Sequence, residues 1–481
     1  MKNLEPKKLW ENFHSLTQIP RPSGKKEEVS AFLADYGRSL GLETIVDEMG
    51  NVLIRKPASP GMENHPGVIL QAHMDMVPQK EADKVFDFHK DAIQAYVEDN
   101  GEWVTADGTT LGADNGIGVS AALAILADKN AVHPPLEAFF TVDEETGMFG
   151  AFGLKGGLLQ GRKLLNLDSE TEGELYVGCA GGIDIEAVFD FEPVEVEAGD
   201  IAMRVQVGGC KGGHSGIDIH LQRANAIKLL ARFLKMAVSE LEARLCSING
   251  GNMRNAIPRS AEAVITIPAE SKDDFMQAVD DFEDMLLKQY AGVEDKLFLR
   301  AEETECPKTQ IPEDVQDYMI HALTLCPHGV YRFMEQMPDV VETSNNLAIV
   351  QTEGNKVSAF CLCRSAVQTR KRELLSVIHS AFSLAGAEVK WTGDYPGWQP
   401  NLQSQLLTTM KDIYHKEFGN EPRIVVIHAG LECGIIARNY PGMEMISFGP
   451  TVEHPHSPEE RVNIATVQKF YRFILTALRQ L

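Results

Sequence analysis

The chain has 481 residues, 44% of them apolar and 24% charged. That ordinary globular composition argues against disordered, collagen-like and coiled-coil architectures and allows two to three domains. Its 45 basic against 69 acidic residues leave a net charge of −24, which argues against a nucleic-acid or anionic-membrane partner, because either needs a basic face.

In chain order, Leu9, Trp10, Phe13 and Leu16 recur at helical spacing. Ser23 followed by Glu27 and Glu28 opens a second helix carrying Val29, Phe32, Leu33 and Tyr36. Short apolar runs at 68–70, 136–142 and 163–167 read as strands, and the small-residue stretch 116–126 as a buried helix. Such alternation predicts a largely parallel sheet with helices on its faces. The longest apolar run, 121–127, is far shorter than the ~20 residues of a membrane helix.

Composition turns acidic over 189–200. Beyond it, strand-like segments at 202–207, 261–267 and 357–363 surround two long amphipathic segments, 224–245 and 273–287, and read as a separate α+β module. After the turn-rich joint at 395–400, the spacing predicts a helix over 402–418, strands at 424–427 and 443–448, and a last helix from Ser457. In that helix Ser457 is the N-cap and Glu460 stands at N3. The simplest arrangement places a first domain at 1–186 and 396–481, with the second module, 187–395, inserted into it. The N-terminal segment lacks the apolar core of a secretory signal. The eight cysteines are scattered, with no C-x-x-C pair, so reduced thiols and a cytoplasmic location are expected.

The chemistry-bearing residues stand where strands end, which in open α/β sheets is where ligands bind. The 68–72 run leads into His73-Met74-Asp75, the 139–142 run into Asp143-Glu144-Glu145, and the 164–167 run into Asp168. The 445–448 run leads through Gly449-Pro450 to His454 and His456, and Asp114 precedes the small-residue helix. Histidines and carboxylates without cysteine suit Zn²⁺, Mn²⁺ or Co²⁺. A pair of ions fits better than one, since a carboxylate can bridge two cations and so many negative groups need compensation. His73 and Asp75 share a face of an extended segment, so Asp75 can accept the second ring N–H of His73. Glu144 and Glu145 point apart if extended: one can bind metal while the other serves a metal-bound water as general base. Taken singly, each has a plainer reading, as a surface pair, solvated glutamates, an Asx turn or a loop histidine. Only the joint arrangement points to a metallohydrolase.

Several segments also resemble known ones. Residues 68–75, Gly112-Ala113-Asp114-Asn115-Gly116, Glu144-Glu145-Thr146-Gly147, Asp168-Ser169-Glu170 and His454-Pro455-His456-Ser457 follow the order of the di-zinc aminoacylase/carboxypeptidase metallopeptidase superfamily. Within it, residues 178–184, Lys211-Gly212-Gly213-His214-Ser215-Gly216, Arg254-Asn255-Ala256-Ile257-Pro258 and residues 428–434 resemble the bacterial aminoacyl-histidine dipeptidases (peptidase D or cytosol non-specific type).

The resemblance implies that His73 and Asp168 bind one metal, Glu145 and His456 the other, and that Asp114 bridges them. It implies Glu144 as general base and Asp75 as orienter of His73. In the inserted module, the lid of that superfamily, it implies His214 as oxyanion stabiliser, with Asn255 and Arg364 holding the substrate's terminal carboxylate and Gly430 lending backbone near the substrate. A serine-hydrolase elbow is not an alternative around His214, because G-x-S-x-G would need Gly where Ile217 stands. For Arg364 a structural salt bridge is the competing reading. Cys361 and Cys363 read as packing residues on one strand face.

The expected fold class is therefore α/β: a mostly parallel-sheet di-metal catalytic domain with an inserted α+β lid domain. The expected function is metal-dependent hydrolysis of dipeptides with a free C-terminal carboxylate, Xaa-His included, with two divalent ions, zinc in the first place and cobalt or manganese as alternatives. The partner is a small peptide, and a homodimer is compatible with the resemblance. The alternatives are an N-acyl-amino-acid deacylase or a tripeptidase with the same centre, and more remotely a metal-binding protein that has lost catalysis.

Overall fold

Leu9, Trp10, Phe13 and Leu16 form the buried face of the helix Lys7–Thr17 in the computed structural model, which describes residues 1 and 3–481. That face packs on the helix Ala113–Ala127, whose residues are buried all round from Asn115 to Leu126. A helix apolar on every side has to lie inside a domain. Its small residues let the neighbour approach: a Cβ added at Gly116 would sit 2.9 Å from the Phe13 ring.

These helices belong to a unit made of residues 1–178, 398–426 and 431–481. Among the described residues its main sheet has eight strands, in the order Glu43–Val46, Val52–Lys56, Leu136–Thr141, Val68–His73, Lys163–Asn166, Glu444–Ser447, Glu174–Cys179 and Arg423–Ile427. The middle of the sheet is parallel. Val68–His73 runs parallel to both Leu136–Thr141 and Lys163–Asn166, and Glu444–Ser447 runs parallel to Lys163–Asn166. Antiparallel strands flank this core on both sides. The register pairs His73 with Thr141 and Gln71 with Asn166, while Ser447 also faces Asn166. The loops after these strands therefore leave one edge of the sheet together.

A smaller antiparallel sheet supplies one further loop. Val452–Glu453 pairs with Arg461–Asn463, which pairs with Trp103–Ala106, so His454, His456 and Glu460 lie in a hairpin connection. The last helix is Ile464–Leu478, capped by the side chain of Asn463, which accepts from Thr466 N. The expected start at Ser457 is thus corrected. Ser457 Oγ donates to His454 O and accepts from Glu459 N, closing a turn. Glu460 faces inward rather than serving at N3.

The second unit comprises residues 179–397 and 427–430. Its large sheet is antiparallel throughout and includes Asp200–Gly208, Ala261–Pro268, Arg244–Gly250, Val341–Glu353, Lys356–Ser365, Gly181–Asp190 and Glu388–Tyr395. Helices Ala226–Glu240, Lys272–Gln289, Glu313–Leu325 and Gln368–Leu384 contribute Phe233, Phe275, Leu323 and Ile378 to one buried apolar core. The boundary expected between 186 and 187 falls inside the Gly181–Asp190 strand. The amphipathic segment expected at 224–245 is interrupted after Glu240: Glu242 takes a left-handed φ of 54°, and Leu245 belongs to the following strand. Cys361 and Cys363 are buried in this core. Among the described residues no helix is long and apolar enough to cross a membrane.

Candidate metal centre

Gly112 takes a left-handed φ of 71°, and Asp114 and Asn115 depart from helical angles. The Asp114 carboxylate is turned toward two histidines. Its Oδ1 lies 3.0 Å from His73 Nε2 and its Oδ2 3.1 Å from His456 Nε2. His73 Nε2 is also 3.1 Å from Asp168 Oδ1, and His456 Nε2 is 3.1 Å from Glu145 Oε2. One oxygen of Asp114 thus faces a His73–Asp168 pair and the other a His456–Glu145 pair. The five side chains named from the sequence as ligands meet in one cluster. His456 reaches it from a backbone held at φ 60°, a conformation that a non-glycine residue adopts only where its surroundings impose it.

The charge balance of this cluster is uneven. Burial opposes a charge on His73, yet Asp168 and Asp114 outweigh it and hold that imidazole well above its usual range. The Asp114 and Glu145 carboxylates push His456 up to about 11. Burial raises Glu144 well above a normal carboxylic acid, and Asp168, Glu145 and Glu432 reinforce the shift. Glu145 and Asp168 are raised first by burial, and Asp114 adds to both. Of the carboxylates facing the two histidines' Nε2 atoms, Asp114 is the one that moves down: its bonds with His456 and His73 overcome its burial. Burial first, and crowding by neighbouring carboxylates second, keep protons on these carboxyl groups while the imidazoles gain them, an arrangement that added positive charge would relieve.

These residues fit divalent cations. Ligand atoms of His73, Asp114 and Glu145 lie within 4.8 Å of one another, and so do those of Asp114, Glu170 and His456. Glu145 Oε1 is buried without a hydrogen-bond partner among the described residues. Imidazole nitrogens with carboxylate oxygens and no thiolate suit Zn²⁺, Co²⁺ or Mn²⁺.

Asp75 is placed beside His73, with its Oδ1 3.4 Å from Nδ1, which is longer than a hydrogen bond. The bonds it does accept come from Ser23 Oγ at 2.7 Å, Glu144 N at 3.0 Å and Glu145 N at 3.3 Å. Asp75 therefore fixes the backbone of the two glutamates as well as standing beside the imidazole.

The remaining expected residues, His214, Asn255, Arg364 and Gly430, all belong to the second unit. Gly213–His214 pairs antiparallel with Ala256–Ile257, and Ser215 N donates to Asn255 O at 2.7 Å. His214 Nδ1 accepts from Gly216 N and Ile217 N, both at 3.1 Å. An imidazole that accepts at Nδ1 carries its proton on Nε2, leaving that N–H as a donor. Burial and the Arg364 charge both lower the pKa of His214. Arg364 is buried; its Nη1 donates to Tyr395 Oη at 3.1 Å and its Nε has no partner among the described residues. No carboxylate is within ion-pair distance of it there, so the salt-bridge reading has no support, and the fork keeps donors to spare. Asn255 is exposed and Gly430 half-buried.

The pattern of peptidase family M20/M25/M40 matches residues 69–480. The chain belongs to this family. It is similar to the cytosol non-specific dipeptidase of Escherichia coli (strain K12), with 44% identity over 481 residues, 100% of this chain and 99% of that protein. The crystal structure of aminoacylhistidine dipeptidase from Vibrio alginolyticus is similar at a TM-score of 0.94 and 44% identity, covering 100% of this chain and 98% of that one. The aminopeptidase PepT structure from Bacillus cereus, at 16% identity, a TM-score of 0.58 and 99% of each chain, shares the fold alone.

Within this M20/M25/M40 member, sequence reasoning missed several buried polar residues around the cluster. Glu170 stands two residues beyond Asp168, a spacing that returns a side chain to the same side of an extended segment, and burial with Asp114 nearby pushes it up to about 9. Asn115 Nδ2 donates to Asp168 Oδ1. Glu432 is fully buried, accepts from Gln71 Nε2 at 2.6 Å and Thr141 Oγ1 at 2.7 Å, and is raised by burial to about 7. Gln71 and Thr141 carried a readable signal, since polar residues inside apolar strand runs require a buried partner.

Proposed function

We propose that this chain is a metal-dependent dipeptidase that hydrolyses dipeptides with a free C-terminal carboxylate, Xaa-His dipeptides among them, in the cytoplasm. The observation that carries the metal chemistry is Asp114, which turns one oxygen to His73 and the other to His456. The 44% identity over the full chain to a dipeptidase supports the substrate class.

His73 and Asp168 would hold one divalent ion and His456 and Glu145 a second, with Asp114 positioned to serve both; zinc is the first choice and cobalt or manganese the alternatives. The chemistry such ions would supply is Lewis-acid polarisation of the scissile carbonyl and a lowered pKa for the attacking water. Glu144 takes the proton of the attacking water and passes it to the leaving amine. Asp75 holds the Glu144 backbone, so the carboxylate is delivered to a fixed place. In the second unit, the Nε2–H of His214 is the donor assigned to the developing oxyanion. Arg364, whose planar fork matches a carboxylate, takes the substrate C-terminus with Asn255. Gly430 contributes backbone next to the substrate.

The test is activity of chelated protein reconstituted with Zn²⁺, Mn²⁺ or Co²⁺ on dipeptides, tripeptides and N-acetyl amino acids. Metal-restored cleavage of dipeptides above the other two classes is the expected result. Preference for acylated compounds or tripeptides would overturn the substrate class, and two bound ions without any cleavage would point to a binding protein.

A further inference from the structure

Two charged side chains outside the cluster are each only 2% exposed, Arg21 and Glu460. Glu460 accepts a fan of four backbone N–H groups. Leu111 N and Gly112 N donate to Oε2 at 2.8 and 2.9 Å, and Ala113 N and Asp114 N donate to Oε1 at 2.7 and 3.2 Å. Arg21 does the complementary work on carbonyls. Its Nη1 donates to Met74 O and Asp75 O, both at 3.0 Å, and its Nη2 to Gly112 O at 2.5 Å. Gly112 is thus gripped from both sides, by its carbonyl and by its N–H. Its φ of 71° and the collision that a Cβ would make with the Arg21 guanidinium leave glycine as the residue that fits.

The pattern joins three loops that are far apart in sequence. Arg21 ties the His73–Asp75 turn to the turn that presents Asp114. Glu460 ties the Asp114 turn to the hairpin that presents His456. A buried ion is costly, and well-packed apolar residues would often stabilise a core as much. What a carboxylate with four donors and a guanidinium with three acceptors supply is a fixed geometry.

We infer that Arg21 and Glu460 are positioning residues that set the spacing of His73, Asp114 and His456 for divalent cations. The inference rests on the metal reading above. It is tested by titrating chelated protein with Zn²⁺ alone, for wild type, Glu460→Gln and Arg21→Lys, beside far-UV circular dichroism and dipeptide kinetics. In Glu460→Gln an amide NH₂ confronts two of the backbone donors; Arg21→Lys keeps the charge but loses the fork. Each variant is expected to keep wild-type secondary structure, to bind Zn²⁺ about ten- to a hundred-fold more weakly, and to lose kcat at saturating Zn²⁺ with little change in KM. Variants with wild-type Zn²⁺ affinity and kcat would overturn the inference, even if they unfold more easily. Should a variant fail to fold, hydrogen exchange on chelated wild type decides: the amides of Leu111, Gly112, Ala113 and Asp114 are expected to be protected, and free exchange would overturn the inference. Wild type that takes up no Zn²⁺ would overturn the metal reading itself, a result separable from wild-type binding that survives in the variants.

Discussion

Asp75 Oδ1 accepts the backbone N–H of Glu144 at 3.0 Å, joining the end of the Val68–His73 strand to the loop after Leu136–Thr141. The neighbouring Glu145 N donates to the other oxygen at 3.3 Å. The carboxylate beside His73 is therefore also the anchor of the proposed base and of one proposed ligand. Asp75→Asn preserves size but sets an NH₂ against one of these donors or against Ser23 Oγ. A loss of about ten- to a hundred-fold in kcat is expected, and steady-state kinetics at saturating metal checks it. Wild-type kcat would show that the anchor is dispensable.

Glu144→Ala removes the proposed proton carrier and none of the proposed ligands. Metal content measured by mass spectrometry should stay near two ions per chain, while turnover falls by about a hundred- to ten-thousand-fold. Large metal loss would mean that Glu144 and Glu145 have exchanged roles.

Asp114→Ala deletes both oxygens that face the two histidines. Occupancy of both metal positions should drop together under equilibrium dialysis. Retention of the wild-type stoichiometry would refute a shared ligand.

Arg364→Ala removes a buried guanidinium that has no carboxylate partner among the described residues. The KM of free-carboxylate dipeptides should rise on the order of ten-fold, the scale of one charge-assisted hydrogen bond. The matching C-terminal amides should change little. Equal losses on both would remove the clamp assignment.

His428 gives the second unit an acid-sensitive point. It is buried with Nε2 2.7 Å from Ser344 Oγ, and burial and the Arg364 charge push its pKa down from 6.5 to about 3. Below pH 6.5 the unfolded imidazole takes up a proton that the folded one refuses until pH nears 3, so the unfolded state binds more protons across that window. Stability is full above 6.5 and declines as pH falls toward 3. Urea unfolding of wild type and His428→Gln between about pH 7 and 4 should show a shallower decline in the variant. Parallel curves would rule out this contribution.

The family order of His73, Asp114, Glu144, Glu145, Asp168 and His456 was legible in the sequence because each follows an apolar strand run or opens a small-residue helix, and strand ends are where polar loops converge. The same local logic failed at Ser457, where a good capping sequence promised a helix. Glu460 is drawn instead to the N–H groups of residues 111–114, and the helix waits until Ile464.

What the sequence by itself determined, then, is which residue types arrive at the sheet edge and in what order. Tertiary structure decided which carboxylate faces which imidazole, that Asp75 bonds to the glutamate backbone, and that Arg21, Glu170, Glu432 and Glu460 surround the cluster. The physical reason is reach: Glu460 meets residues 346 to 349 positions away. No local periodicity encodes such a meeting, which depends on strand register and on the turns that carry each loop.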